Sequence, residues 1–352
     1  MTWLVRALVS RGHEIQLLTY YDYDHFLPLI REVGVEPESI ATASSFGRFW
    51  AARKKVREFG ADVIISYLNT PSILAVYASL MPARIPVVVS ERVFEEEGPN
   101  NANRIRFNIF RAADCVVSNS FSQSEFIRND FPFLEPKLHT IINCVDLERF
   151  KPVQTQSQRK YRIVVGASFI ARKNAQTLVK ALAIAKSKTK KPIEVHWYGD
   201  NRFEDGKPTV NSAYFLETME LVKTLNLTED FLYHSPVSNL HELLPTFDAC
   251  CLPSFSEGTP NIICEAMACG LPVIASDVGD HKILVQQDNG VRFDPNSSED
   301  LCEKLVAVTS YDQQQLERIR ESNRRYAEAE FHPKVFADHY EELLVSLVKN
   351  RR

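Results

Sequence analysis

The sequence has 352 residues, more than one compact core usually accommodates, so two domains are expected. With 45% hydrophobic and 24% charged residues it has a globular composition, which excludes a disordered, collagen-like or coiled-coil chain. A net charge of −4 leaves no global field for nucleic acid or acidic lipid, so any basic surface must be local.

Residues 1–12 read as an amphipathic helix, with Leu4, Val5, Leu8 and Val9 on one face and Gly12 ending it. No signal peptide opens the chain, which points to the cytoplasm. An α/β domain rarely opens on a helix, so the first strand and its loop are read as missing: a fragment, a miscalled start or a degenerate protein. Strands are expected at 15–18, 63–66, 87–90, 115–118 and 139–142, and then at 162–165, 194–198, 231–233, 249–252, 273–275 and 290–293. Most are short and apolar on both faces, as in a buried parallel sheet. Helical patterns lie between them, such as 174–186 and 216–225, and this alternation predicts doubly wound parallel sheets. The polar, Gln-rich stretch 151–160 is the best boundary. It gives a first domain over 1–150 and a second over 151–332, with a helix in 333–352 crossing back to the first. Two Rossmann-like halves would then face each other across a crevice, with ligands at the carboxyl ends of strands. No apolar run approaches the roughly eighteen residues needed to span a bilayer. The seven cysteines fit no metal-ligand spacing and read as buried, reduced thiols.

The chemistry is concentrated in residues 249–277. A strand ends at Pro253, a Ser/Gly loop follows, Thr259 is a plausible N-cap, and Pro260 suits the first helical position. The helix should reach Cys269, where Gly270 can take the left-handed cap conformation, and Pro272 prevents continuation. Such a helix N-terminus offers unpaired N–H groups to a phosphate or to sugar hydroxyls. Glu257 lies in the facing loop and Glu265 just over one turn into the helix. Two carboxylates would repel a phosphate but bind vicinal diols well. Hydroxyls at both ends and phosphate in the middle describe a nucleotide sugar.

These residues resemble the glutamate-x7-glutamate signature of glycosyltransferase family 4, retaining enzymes of the GT-B fold. Ile142-Asn143-Cys144-Val145-Asp146 with Phe150 and Pro152 is similar to the family's domain-junction element, with Cys144 in place of glycine. Ile64-Ile65-Ser66 followed by Ser90-Glu91-Arg92 is also similar to members of the family, many of which carry histidine where Glu91 stands. The resemblance implies that Glu265 binds the nucleotide ribose and Glu257 the transferred sugar. Gly258, Thr259, Pro260 and Asn261 would line the donor at the helix start. Lys173 matches the lysine that holds the diphosphate, whereas the partner arginine position is Ser168. Arg172 either replaces that arginine or is a solvated residue pointing elsewhere, because it is adjacent to Lys173. Glu91 either orients acceptor or sugar, or forms an ion pair with Arg92. Catalysis would rest on positioning and on stabilising the departing diphosphate, with Glu257, Lys173 and Glu91 as the catalytic set.

The implied donor is a UDP- or GDP-sugar carrying a hexose or N-acetylhexosamine. The implied acceptor is a glycan or polyprenyl-linked glycan in cell-surface polysaccharide synthesis. No metal or other cofactor is expected; Asp22-Tyr23-Asp24 reads as an aromatic loop rather than a manganese site. Two stretches, 46–57 and 103–111, mix aromatics with cations and fit amphipathic helices, either packed on the sheet or lying on an anionic membrane. The alternatives to an active transferase are a catalytically impaired nucleotide-sugar-binding fragment or scaffold and, ranked lower, a sugar-nucleotide epimerase of the same fold.

Overall fold

A computed structural model describes residues 1–20, 27–42, 44–80, 84–92, 100–153, 159–204 and 207–349. Asp22, Tyr23 and Asp24 lie outside them, as do Glu95, Glu96 and Glu97. The chain divides into two compact units: Met1–Cys144 with Pro333–Arg352, and Val145–His332.

The first unit holds a short parallel pair, β1 (Leu18–Thr19) and β2 (Glu38–Ser39). A separate four-stranded parallel sheet runs in the order β3 (Ile64–Tyr67), β4 (Val87–Glu91), β5 (Cys115–Ser118), β6 (Leu138–Thr140). Alternating side chains of β4 enter opposite layers, as the pleat requires. Val87 and Val89 pack with Ala75, Val76, Phe107, Phe110 and Ile127 from the helices that follow β3, β4 and β5. Val88 points the other way, into Leu4, Leu8, Phe336 and Tyr340. Those last four come from the first helix, Thr2–Ser10, and the last, Pro333–Lys349, which therefore completes the first unit.

The second unit opens with β7 (Tyr161–Gly166) and β8 (Ile193–Tyr198), then a two-stranded antiparallel excursion, β9 (Phe203–Glu204) and β10 (Lys207–Pro208). It continues with β11 (Phe231–His234), β12 (Ala249–Leu252), β13 (Val273–Ser276) and β14 (Gly290–Phe293). The main sheet is wholly parallel in the order β11-β8-β7-β12-β13-β14. From β7 the chain winds outward through β8 and β11, then returns to β12 on β7's other side. The switch point, where a doubly wound sheet opens a cleft, is thus between β7 and β12. Gly199 after β8 is obligatory: a Cβ there would stand 1.7 Å from the carbonyl oxygen of Ala167. Both units are Rossmann-like α/β folds. Among the described residues no helix is long and apolar enough to cross a membrane. All seven cysteines are free thiols, six of them buried.

Candidate functional site

Two loops leave the switch point side by side. After β7 the chain turns through a 3-10 segment, Ala171–Lys173, and Asn174 takes the left-handed conformation (φ +59°) before the helix Ala175–Ala185. Asn174 is buried, and its side-chain amide donates to the carbonyls of Pro253 (3.0 Å) and Pro295 (2.8 Å). It thereby ties the loop after β7 to the loops after β12 and β14. The loop after β12 runs through Ser254 and Glu257 to the helix Asn261–Ala268.

That helix begins one residue later than the cap chemistry predicts. Pro260 is the N-cap, with no side-chain cap bond, because the hydroxyl of Thr259 donates instead to the carboxylate of Asp280. The other end follows expectation. Gly270 lies at φ +73°, its N–H donates to Met267, and the N–H of Leu271 donates to Ala266, a Schellman closure.

Glu257 is only 7% exposed and is held from three sides. Ser254 donates to its Oε1 at 2.6 Å, Lys173 forms a direct ion pair with the same oxygen, and Arg172 stands 4.0 Å from Oε2. Arg172 also donates to the carbonyl of Ser256 at 2.8 Å, and the N–H of Phe255 donates to the carbonyl of Arg172. The expectation that adjacency turns Arg172 away from Lys173 is therefore incorrect. The tight 3-10 turn and the neighbouring loop bring both cations to one carboxylate. Lys173 and Glu257, read separately as diphosphate and sugar contacts, here neutralise each other. Burial, partly offset by Glu257, pulls the Lys173 ammonium below its ordinary range. Ser168 is exposed on the loop after β7 and contributes only a hydroxyl at the arginine position. Gly258 and Asn261 flank the helix start, Asn261 exposed and Gly258 half-buried.

Glu265 differs in kind. It is half-buried in the helix, has no hydrogen-bond or cation partner among the described residues, and burial pushes its carboxyl up to about 7. Nothing pays for that carboxylate within the protein, which is the condition under which a ligand's hydroxyls bind it most favourably.

Glu91 lies in the first unit at the end of β4, with 0% exposure. Its partner is Arg106 from the helix Asn101–Ile109, at 3.3 Å, rather than Arg92. Arg92 turns to Ser90, Asn143 (2.5 Å) and the hydroxyl of Tyr340 (3.1 Å).

Several residues under the loop were not singled out from sequence. Ser276 donates to the carbonyl of Ser254 at 2.5 Å, and the Nδ1 of buried His281 meets the carbonyl of Ser276 at 2.8 Å. With Asn174, Asp280 and Ser254 they form the polar floor that sets the loop's shape. Only Asn174, a turn-former next to Lys173, carried a local signal. Among the described residues no cluster of three or more His, Cys, Asp or Glu has a metal-binding arrangement.

The second unit matches the family model described as Glycosyl transferases group 1 over residues 159–310, and the first matches Glycosyltransferase Family 4 over residues 2–149. An N-acetyl-alpha-D-glucosaminyl L-malate synthase of Bacillus anthracis is 24% identical, over 99% of this chain and 93% of its own. An N,N'-diacetylbacillosaminyl-diphospho-undecaprenol alpha-1,3-N-acetylgalactosaminyltransferase of Campylobacter jejuni is 23% identical, over 99% and 95%. Among solved structures, Anabaena HepE in complex with UDP superposes with a TM-score of 0.83 at 18% identity, over 98% of this chain and 95% of that one. The architecture is thus GT-B. With both units matched by family models and the paired glutamates standing at the sheet's switch point, the chain belongs to glycosyltransferase family 4.

Proposed function

We propose that the chain transfers a hexose or N-acetylhexosamine from a UDP- or GDP-sugar, with retention, to a glycan or polyprenyl-linked glycan during cell-surface polysaccharide synthesis. The observation that carries this reading is the pairing of an unpartnered carboxylate, Glu265, with two cations, Arg172 and Lys173, around one helix N-terminus. Glu265 would accept the ribose diol. The diphosphate would draw Lys173 from Glu257, aided by Arg172 and the positive end of the helix Asn261–Ala268. Glu257, released from its lysine, would then accept hydroxyls of the sugar. Burial already disfavours charge on Lys173, so an arriving dianion would restore what the exchange costs.

Retention is supported by the relatives' names. Two of them denote α-linked N-acetylhexosamine products, and an α-configured nucleotide sugar giving an α product keeps its configuration. The Campylobacter enzyme's name also denotes an undecaprenol-linked acceptor, the basis for proposing the same acceptor class. In the first unit, Glu91 would act on the acceptor side through the Arg106 guanidinium it holds.

The test is calorimetric titration with UDP- and GDP-sugars, followed by proton NMR of the first-formed product on a polyprenyl-diphosphate acceptor. An inverted anomeric centre would overturn the retaining assignment. Ser168, standing where the resemblance places an arginine, favours a second reading: a nucleotide-sugar-binding protein of low turnover. Tight donor binding with neither transfer nor donor hydrolysis would establish it.

A further inference from the structure

β13 ends at Ser276, and the chain folds back at once: Gly279 takes the left-handed conformation (φ +46°), and the N–H of His281 donates to the carbonyl of Val278 at 3.0 Å. The turn returns the side chain of His281 to the strand end it has just left. Its Nδ1 meets the carbonyl of Ser276 at 2.8 Å and the hydroxyl of Ser276 at 3.4 Å. A carbonyl only accepts, so Nδ1 carries the ring proton. The Ser276 hydroxyl donates in turn to the carbonyl of Ser254, where the loop after β12 begins. The preceding residue, Asp280, goes to the other end of that loop. Its carboxylate accepts the hydroxyl of Thr259, just before the helix Asn261–Ala268. Glu257 stands between these two anchors.

Both anchors give up something that stability alone would keep. Asp280 is the N-cap of the helix His281–Leu284, yet its side chain makes no cap bond there, and the helix Asn261–Ala268 has no side-chain cap bond either. Two helix starts thus forgo ordinary capping and are tied to each other instead. His281 has no exposure, and its Nε2 has no hydrogen-bond partner among the described residues. Leaving a buried ring nitrogen bare costs stability. What the imidazole contributes is therefore the donor at Nδ1. Burial, aided by Lys173 and opposed by the Ser276 carbonyl, Glu257 and Asp280, holds the ring below its ordinary range, so it is neutral at neutral pH. It fixes Ser276 without adding a charge beside the Lys173–Glu257 pair.

We propose that Asp280 and His281 are positioning residues for sugar transfer, gripping the loop 254–259 at both ends so that Glu257 keeps its place when Lys173 leaves it for the donor diphosphate. The role rests on the donor reading of this site. Both residues are fully buried, so they act through the loop rather than on substrate. The need arises from the exchange of partners. At rest Lys173, Arg172 and Ser254 all hold Glu257. Once the diphosphate takes the cations, the carboxylate is left with Ser254 and with the shape of the loop. A group displaced by about 1 Å loses on the order of 100-fold in rate. The anchors therefore matter to turnover more than to donor affinity, which Glu265 and the cations supply.

The experiment compares His281→Leu, His281→Asn, Asp280→Ala and Asp280→Asn with the parent chain, by steady-state transfer, calorimetric donor titration and melting temperature. Asparagine at 281 keeps an N–H donor near the position of Nδ1, and at 280 it keeps an acceptor for Thr259. His281→Leu and Asp280→Ala should each lower kcat roughly 10- to 100-fold, with the donor dissociation constant changed only a few-fold. Both asparagine variants should recover most of kcat. Ser276→Ala added to His281→Leu should cost little more, because both break one chain of hydrogen bonds. Losses of donor binding and melting temperature that match the loss of kcat, with no recovery by asparagine, would make the pair general supports and overturn the proposal. Nitrogen NMR of the histidine ring gives a readout independent of turnover: a neutral ring protonated at Nδ1 is expected, and one protonated at Nε2 overturns the grip on Ser276. A parent chain that transfers no sugar from any donor overturns the proposed function and this role with it. A transferring parent whose variants all match it overturns this role alone.

Discussion

Each unit places a buried glutamate at a strand's carboxyl end and pairs it with a cation, yet the two pairs are built differently. Glu91 is the last residue of β4, has 0% exposure, and meets an Arg106 that is itself buried. Glu257 sits on a loop beyond β12, and its surroundings are layered: a serine beneath it, a half-buried lysine beside it, and Arg172 with nearly half of its side chain exposed. A pair sealed at the end of an interior strand keeps one arrangement, so Glu91 could serve the acceptor only by fixing Arg106. A pair on a loop at the switch point can exchange partners when a ligand brings its own charge. The resemblance that draws attention to both glutamates does not separate these cases; burial and the partner's exposure do.

Glu91→Ala removes the carboxylate that the buried Arg106 guanidinium meets and should cost about 3–5 kcal/mol in denaturant unfolding. If it instead leaves stability intact and abolishes transfer, Glu91 touches substrate and is not a structural residue. Lys173→Ala should lower kcat about 100- to 1000-fold, as does loss of a group stabilising charge that develops in the transition state, with a small change in melting temperature. Glu265→Ala should raise the donor dissociation constant about 10- to 100-fold, the range for hydrogen bonds to a charged acceptor. Unchanged binding would remove Glu265 from the donor site.

The same residue gives a pH signature. Its carboxyl titrates near 7 in the folded protein, above its ordinary value of 4.5, so the folded state holds the proton more tightly than the unfolded one. Stability from this group is complete below the ordinary value and is lost as pH rises through about 7. Nucleotide binding should run the other way, strengthening over that interval as the carboxylate forms. Glu265→Gln should flatten both curves, and a wild-type binding curve without slope there would remove the assignment. Smallest is Ser254→Ala, which deletes one hydrogen bond to Glu257 and should cost about 0.5–1.5 kcal/mol, read as a few-fold change in KM for donor with folding intact.

Most of the sheet was legible in the sequence because buried parallel strands are written as short, continuous apolar runs. Cys115–Ser118, Ala249–Leu252 and Gly290–Phe293 fall at the expected residues. Glu38–Ser39, Phe203–Glu204 and Lys207–Pro208 did not announce themselves, since two-residue strands carry no periodicity. In the site, the Glu257–Glu265 spacing and the Gly270 cap were visible because both are local. Contacts that depend on the sheet order were not. Lys173 lies 84 residues from Glu257 and meets it only because β7 and β12 are hydrogen-bonded neighbours. Thr259 reads as a cap until Asp280, brought from the end of β13, takes its hydroxyl.

The return of Pro333–Lys349 to the first unit bears on how the chain is made. The second unit is one uninterrupted stretch, Val145–His332, and has every strand it needs before Pro333–Lys349 is made. The first unit is divided: Leu4, Leu8, Val88 and Val117 wait for Phe336, Tyr340, Leu343 and Leu344, which leave the ribosome only after the whole second unit. The order of maturation should therefore invert the order of translation, with the later-encoded unit consolidating first. Until the final helix arrives, one face of the parallel sheet stays open to solvent, the interval in which a nascent chain most needs a chaperone.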